Sequence, residues 1–409
     1  MTMTSAAYGH ADATRRSRLR VFLVTCGAHA LHDGMTDTLY VLLPTFQATF
    51  GLSYASIGIV RALYAGSMAG LQVPSAALAR RFGEVKMLAA GTALAGAAYL
   101  GVGASAGLLT LGLALVFCGV GSSTQHPISS TLIASAYEGQ RSRDALGTYN
   151  FAGDLGKMAL PALTAVLIAT ISWRPATSVV GLFGLAGACA IMLVLRRTVV
   201  RHTSNREDTA PDVAVAAKPR RGGFALLLSI GIIDSAARMS FLTFLPFLLR
   251  AKGAGTAEIG VALSLLFAGG AAGKLVCGFL GGRLGVLWTV LITEGGTAAT
   301  IMGLLPLPLD AALVLLPIVG VALNGTSSVL YGTVPELVAA DRRQTAFGIF
   351  YTCTIGAGAL SPVLFGFTGD AMGLSVTTSV IAGFVLLTLP LAGKLSPMLA
   401  RTDPGASRA

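Results

Sequence analysis

Long apolar segments, separated by short polar stretches, recur twelve times along this chain of 409 residues. They lie near residues 20–46, 55–79, 86–105, 108–136, 145–171, 175–196, 223–250, 256–281, 286–306, 309–333, 345–369 and 374–396. Each segment holds about 20 residues or somewhat more, the length that a helix needs to cross roughly 30 Å of hydrocarbon. The pattern predicts an all-α membrane protein with twelve transmembrane helices.

The polar segments between these helices divide the chain into two halves. The longest, 197–222, lacks apolar periodicity and predicts a flexible linker between two six-helix bundles, 20–196 and 223–396. With the amino terminus inside, 22 of the 29 Lys and Arg residues lie on the cytoplasmic side, three lie on the opposite side and four lie within spans. Basic residues favour the cytoplasmic side. We therefore expect a multi-pass inner-membrane protein with a cytoplasmic linker and cytoplasmic tails at 1–19 and 397–409.

The two halves repeat in sequence. A shift of 202 residues, with no gap, keeps one register over about forty positions, and a shift near 201 aligns spans five and eleven. The matches are Leu43-Pro44 with Leu245-Pro246, Gly51 with Gly253, Ile57-Gly58 with Ile259-Gly260, Leu63 with Leu265, Arg81 with Arg283, Gly83 with Gly285, Gly147 with Gly348 and Pro161 with Pro362. Such a parallel repeat is typical of transporters whose halves rock about a central substrate site.

Composition narrows the class further. Hydrophobic residues make up 54% of the chain and charged residues 11%, against about 25% charged residues in soluble domains. The net charge of +11 is scattered over short loops, so we expect no nucleic-acid partner. The five cysteines lie in different apolar segments without metal or disulfide spacing. Motifs for a nucleophile and base, a metalloprotease or a phosphate loop are missing from the sequence, and we expect neither an enzyme nor a cofactor.

The loop after the second span carries the residues of a known family. Ala76-Ala77-Leu78-Ala79-Arg80-Arg81-Phe82-Gly83, followed by Lys86, resembles the signature of the major facilitator superfamily, and Gly278-Phe279-Leu280-Gly281-Gly282-Arg283-Leu284-Gly285 resembles it again in the second half. The resemblance implies a conformational role for Arg81, Gly83, Arg283 and Gly285. Both copies lack the family's Asp, with Arg80 and Gly282 in its place, so the Asp-based cytoplasmic lock is not expected.

Within the superfamily, the stretch Gly119-Val120-Gly121-Ser122-Ser123-Thr124-Gln125-His126-Pro127 is similar to the fourth span of the fosmidomycin-resistance group. Gly51-Leu52-Ser53-Tyr54-Ala55 and the Gly153, Gly156 and Pro161 positions of span five add to this resemblance. It implies a secondary active transporter, expected to be monomeric, that exports a small organic anion or zwitterion in exchange for protons. Proton-coupled uptake of a similar metabolite is the alternative.

Ionisable residues within the spans predict a polar path, because each costs a few kcal/mol in bare hydrocarbon. His29, Asp33 and Asp37 share one helix face with His32 at its edge. Burial favours the protonated form of a carboxyl group, so acids on these spans are candidates to carry the coupled proton. The candidates for proton coupling are Asp33, Asp37, Asp234, Asp154, His29 and His32.

Cations and polar groups on the same spans are candidates to bind the substrate. They are Arg238, Lys274, His126, Gln72, Lys157 and Arg61, with Gln72 aligned to Lys274 by the repeat. Competing interpretations stay open: Asp154–Lys157 and Asp234–Arg238 neutralise themselves, and Arg61 and Lys274 extend to the membrane surfaces. Glu294 is interpreted as structural. A divalent metal bound by His29, His32 and Asp33 is a further alternative.

Overall fold

The computed structural model describes residues 3–137, 139–196, 222–339 and 342–399, and every regular element in these ranges is helical. The helices are α1 Met3–Phe50, α2 Tyr54–Phe82, α3 Glu84–Gly103, α4 Leu108–Ser122, α5 Gln125–Ala136, α6 Gly139–Ile171, α7 Trp173–Leu195, α8 Gly223–Ala251, α9 Thr256–Leu304, α10 Leu309–Leu337, α11 Arg343–Met372, α12 Leu374–Val385 and α13 Thr388–Leu395. The predicted linker at 197–222, apart from its last residue, lies outside the described residues, and so do residues 1–2 and 400–409 of the predicted tails.

Ten segments of the described chain are long and apolar enough to cross a membrane. The pairs α4 with α5 and α12 with α13 each form one such segment, and α9 forms two. The remaining long helices, α1 and α2, have 48 and 29 residues, and their hydropathy is lowered by the charged and polar residues discussed below. Together these helices account for the predicted twelve spans, which confirms the all-α fold class.

By Cα packing the chain divides into two compact units. Among the described residues, the first comprises those up to 196 with Leu249–Phe267, and the second comprises 222–248 with those from Ala268 onward. Each unit contains most of one predicted six-helix bundle. The end of α8 and the start of α9 group with the first unit, although the sequence placed them in the second half.

The repeat is also present in the backbone. Left-handed φ angles occur at Gly83 (96°) and Gly285 (76°), which a shift of 202 aligns. Gly83 separates α2 from α3, and Gly285 interrupts α9 in the same way. Ser172 (72°) and Gly373 (84°), related by a shift of 201, both precede a helix. The aligned positions therefore adopt the same turns, although the second copy keeps glycine where the first has serine.

Close approach of α1 and α6 organises the first unit. A Cβ at Gly156 would overlap the backbone of Ala30, and one at Gly34 would lie 2.7 Å from the Gly156 carbonyl oxygen. A Cβ at Gly153 would lie 2.7 Å from the His29 ring. Small residues let membrane helices pack at such distances, so these glycines bring the polar face of α1 against α6.

The second unit has an apolar core formed by α8, α9, α10, α11 and α13. Leu227, Val290, Val334 and Phe350 are buried together in it. Helices α9 and α10 pack closely, since a Cβ at Gly273 would lie 2.5 Å from the Val321 carbonyl oxygen. This packing holds α9 against α10.

Candidate functional site

Asp33 is the centre of a buried cluster in the first unit. Its Oδ2 atom lies 3.2 Å from His29 Nε2 and 3.2 Å from Lys157 Nζ, and its Oδ1 atom lies 3.5 Å from His126 Nε2. These partners come from α1, α5 and α6. The predicted candidates His29, Asp33, His126 and Lys157 thus belong to one site.

His29 is held by contacts with α6 and faces Asp33. His29 Nδ1 is 2.8 Å from the carbonyl oxygen of Tyr149, and a carbonyl only accepts, so Nδ1 carries a hydrogen. A neutral His29 would then present the lone pair of Nε2 to Asp33. Nε2 makes no hydrogen bond among the described residues, although Asp33 Oδ2 lies 3.2 Å from it. The imidazole also stacks on Tyr149 with a centroid distance of 4.0 Å, which fixes this orientation.

The His126 and Lys157 side chains are more accessible than the Asp33 side chain. The side chains of His126 and Lys157 are 41% and 29% exposed, whereas that of Asp33 is 10% exposed. Lys157 Nζ lies 3.8 Å from Asp154 Oδ1, farther than from Asp33. The sequence left open that Lys157 and Asp154 neutralise each other, but the shorter contact of Lys157 is to Asp33 on another helix.

Asp37 and Arg61 extend the polar face of the first unit. Both are buried, with exposures of 8% and 5%. Arg61 donates from Nη2 to the Tyr40 hydroxyl at 3.1 Å and lies over the same ring, while its Nε and Nη1 atoms have no hydrogen-bond partner among the described residues. Arg61 therefore does not extend outward, as one interpretation of the sequence had it.

His32 faces away from the Asp33 cluster. Its Nε2 atom lies 2.9 Å from the hydroxyl of Thr92 on α3. Thr92 in turn donates to the Leu88 carbonyl at 2.7 Å, so His32 Nε2 carries the hydrogen in the bond to Thr92. The structure thus separates His32 from His29 and Asp33, with which the sequence grouped it as a metal ligand.

The second unit contains a different polar cluster. Arg238 Nη2 lies 3.9 Å from Asp234 Oδ2, one turn away on α8. Glu294 on α9 faces Asp234 and is 1% exposed. Two acids therefore share one cation, and Glu294, which the sequence analysis interpreted as structural, lies against another acid.

Four further candidates lie on α2 and α9. Gln72 on α2 and Lys274 on α9 are both half-buried, in the first and second units. Arg81 contacts the Phe82 ring at 5.5 Å, and Arg283 contacts Phe279 at 4.1 Å. Beside Gly83 and Gly285, these arginines pack on aromatic rings in both copies of the turn.

Several participants could not be identified from the sequence. Tyr149 accepts from His29 through its backbone carbonyl, and its hydroxyl accepts from Gln125 Nε2 at 2.9 Å. The Tyr64 hydroxyl joins Thr36 at 3.0 Å and Ser122 at 2.9 Å. Single hydroxyl and amide groups in apolar spans are common, and only the packing of helices reveals these contacts.

Ten apolar segments of the described chain that can cross a membrane, together with the repeat and the ionisable residues buried in each unit, are typical of a multi-pass membrane transporter. The Major Facilitator Superfamily model matches residues 25–362 and 226–408, and the chain belongs to this family. It is a transporter of small molecules and not an enzyme.

Two curated relatives align over most of the chain. A protein of Cupriavidus necator named "Probable sulfoacetate transporter SauU" is 25% identical over 390 residues, covering 89% of this chain and 90% of the relative. An "MFS-type efflux pump" of Mycolicibacterium smegmatis is 25% identical over 359 residues, covering 81% and 80%.

Solved structures share the fold. A bacterial homolog of the human lysosomal transporter Spinster superposes with a TM-score of 0.77 at 18% identity, covering 95% of this chain and 99% of that one. The nucleoside transporter NupG superposes with a TM-score of 0.72 at 14% identity, covering 94% and 100%. At these identities the likeness concerns the fold alone.

Proposed function

We propose that the chain is a proton-coupled secondary active transporter of a small organic anion or zwitterion. The observation that carries this proposal is the position of Asp33 among His29, His126 and Lys157. The curated relative named for sulfoacetate supports a small anion as substrate. We further propose that the protein works by alternating access as a monomer of the inner membrane with cytoplasmic termini, as the distribution of basic residues favours.

Asp33 occupies the place that a substrate anion would take beside Lys157 and His126. While Asp33 is ionised, it neutralises Lys157 from a distance of 3.2 Å. Protonation of Asp33 removes that charge and leaves the Lys157 ammonium group, with the His126 ring beside it, available to an anion. Proton and anion then favour each other's binding, and this coupling is reciprocal. Such co-binding moves both in one direction and supports the uptake alternative.

Export in exchange for protons requires that binding of the proton weakens binding of the substrate. A zwitterion whose cationic group binds ionised Asp33 would compete with the proton and leave when the proton arrives. The relative named as an efflux pump supports this direction. The charge of the substrate therefore decides between the two directions, and Asp33 is the proton site in both.

The proposed remaining roles follow charge and burial. Asp37, Asp154 and Asp234 are further proton-coupling candidates, with His29 and His32. Arg238, Lys274, Arg61 and Gln72 are further substrate contacts. Arg61 is the most notable of these, because a buried guanidinium with two unpartnered nitrogens accommodates an anion at little further cost.

The test is proton movement in proteoliposomes driven by sulfoacetate, by other small carboxylates and sulfonates, and by zwitterions. We expect Asp33→Asn to abolish substrate-driven proton movement and Asp37→Asn to weaken it. We expect Arg238→Ala and Lys274→Ala to weaken substrate binding. Unchanged coupling in both Asp variants would overturn the proposed role of the acids in proton coupling. Undiminished substrate affinity in both Arg238→Ala and Lys274→Ala would overturn the proposed role of these cations in substrate binding.

A divalent metal or metal chelate is the second candidate substrate. The ligand atoms of His29, Asp33 and His126 lie within 4.8 Å of one another, and two imidazoles with a carboxylate suit transition metals. Lys157 opposes this candidate because its ammonium group contacts the same carboxylate. Stabilisation by Zn²⁺ or Mn²⁺ that His126→Ala removes would favour the metal, and no response to either ion would exclude it.

A further inference from the structure

We propose that Glu294 and Asp234 form a second proton-binding site, in which one proton is held between the two carboxyl groups. The site lies in the second unit, and it does not depend on the coupling proposed for Asp33. Glu294 is 1% exposed and Asp234 5% exposed. Carboxyl groups so deeply buried remain ionised only when donors or cations compensate their charge.

Donors to Glu294 are missing from the described residues. Neither of its carboxyl oxygens accepts a hydrogen bond there. The hydroxyl beside it belongs to Thr326, which donates to Thr293 Oγ1 at 2.6 Å. Thr293 donates in turn to the Thr289 carbonyl at 2.8 Å. Since a carbonyl only accepts, the direction of this chain is fixed, and Thr326 has only a lone pair to offer Glu294. A protonated carboxyl complements that lone pair, whereas a carboxylate repels it.

One positive charge is also too few to balance ionised Asp234 and ionised Glu294 together. Arg238 is the basic residue that acts on both carboxyl groups, and its Nη2 atom lies 3.9 Å from Asp234 Oδ2. One guanidinium balances one carboxylate. Two carboxyl groups sharing a site do not both ionise, so the second charge is removed by a proton on Glu294 or shared with Asp234.

The repeat supports the contact independently. A shift of 202 residues relates Asp234 to His32 and Glu294 to Thr92. His32 and Thr92 are hydrogen-bonded at 2.9 Å in the first unit. The fold thus brings these two positions together in both copies, and the second copy places a carboxyl group at each.

The test is an infrared measurement of protonated carboxyl groups in the purified full-length protein. We expect the carbonyl band of a buried carboxylic acid at neutral pH, and we expect Glu294→Gln to remove it. The matched control is Glu258→Gln, at the other end of α9, where the exposed carboxylate accepts from Gly255 N at 2.6 Å. We expect this control to leave the band unchanged. Identical neutral-pH spectra for Glu294→Gln and the wild type would overturn the proposal.

Asp234→Asn tests whether Glu294 is protonated because it shares a proton with Asp234 or because of its burial alone. With Asp234 neutral, Arg238 stabilises an ionised Glu294, and we expect the band to disappear at a lower pH than in the wild type. If the band disappeared at the same pH in Asp234→Asn and the wild type, the proposal that the two carboxyl groups share a proton would be overturned. Because Gln resembles protonated Glu, Glu294→Gln should also fold with wild-type stability, and loss of folding would count against the proposal. Coupling at Asp33 is measured by proton movement, so either proposal can fail without the other.

Discussion

The two units place different chemistry on equivalent helix contacts. In the first, Lys157 on α6 contacts Asp33 on α1 at 3.2 Å. The equivalent positions of the second unit hold Gly358 and Ser235, and a Cβ at Gly358 would lie 2.7 Å from the Ser235 hydroxyl. The contact is retained while both charges are lost. The repeat therefore determines which positions are in contact, and the residues at those positions determine the chemistry of the contact.

At a neighbouring contact the difference is reversed. The first unit joins His32 to Thr92 by a hydrogen bond, whereas the second places Asp234 against Glu294. Each unit thus carries one ionisable cluster, at a different position of the repeat. The first cluster has an accessible lysine and two imidazoles around one acid, which suits binding of an anion. The second has two acids around one cation, which suits holding a proton.

We expect the largest effect from Lys157→Gln, which makes the first unit resemble the second at this contact. Removing one partner of a buried ion pair costs about 3–5 kcal/mol when the other stays charged, and protonation of Asp33 would reduce that cost. We expect anion affinity to fall at least about tenfold, or about 1.4 kcal/mol, as measured by calorimetry. Exposed Lys86 supplies the control Lys86→Gln, and equal affinities in the two variants would contradict the assignment.

Gly153→Ala tests whether the close approach of α1 and α6 holds the first cluster together. Its Cβ would lie 2.7 Å from the His29 ring and 2.8 Å from Asp33 Oδ2, and such overpacking costs about 1–3 kcal/mol. We expect a lower melting temperature and weaker anion binding. Gly147→Ala on the same helix meets open space and should be neutral or stabilising. Equal melting temperatures for the two variants would contradict this account of the packing.

Thr92→Val tests the difference between the His32–Thr92 contact of the first unit and the Asp234–Glu294 contact of the second. It leaves buried His32 Nε2 without its partner, and an unsatisfied buried polar group costs about 1–3 kcal/mol. We expect reduced thermal stability with no change in the infrared band of protonated carboxyl groups, whereas Glu294→Gln at the equivalent position should change the band and keep stability. If Thr92→Val altered the band, the proposal that Glu294, and not Thr92, belongs to a proton-binding site would be contradicted.

The smallest expected effect concerns the turns that the units share. Ser172 has a φ of 72° and a ψ of 166°, a conformation that only glycine adopts freely and that costs other residues about 1–3 kcal/mol. Ser172→Gly should therefore raise stability, with part of the gain offset by the flexibility of glycine in the unfolded chain. Gly373→Ser should lower it in a thermal-denaturation assay. Changes of the same sign would show that the two turns are not equivalent.

Fold and repeat were predictable from the sequence because both depend on patterns along the chain. Apolar segments set the spans, and Gly83 and Gly285 mark turns that need a left-handed backbone. Asp33 was also identifiable, since a carboxyl group inside a span is costly wherever the helices pack.

The partners of these acids were not predictable. The sequence left open whether Lys157 pairs with Asp154 on its own helix, and the closer contact of Lys157 is to Asp33. Glu294 lies 60 residues beyond Asp234, and no local pattern connects them. Such contacts depend on how each helix is rotated in the bundle, which glycines such as Gly153 decide by permitting close approach.

The most direct test of the account counts the protons that accompany substrate binding. Calorimetry of sulfoacetate binding, in buffers with different ionisation enthalpies, measures this number for the wild type and for Asp33→Asn. If a ligand screen by thermal shift identifies a different anion, that anion replaces sulfoacetate. The account predicts uptake of about one proton per bound anion in the wild type and none in Asp33→Asn. Equal proton uptake by the two proteins, or none in the wild type, would contradict it.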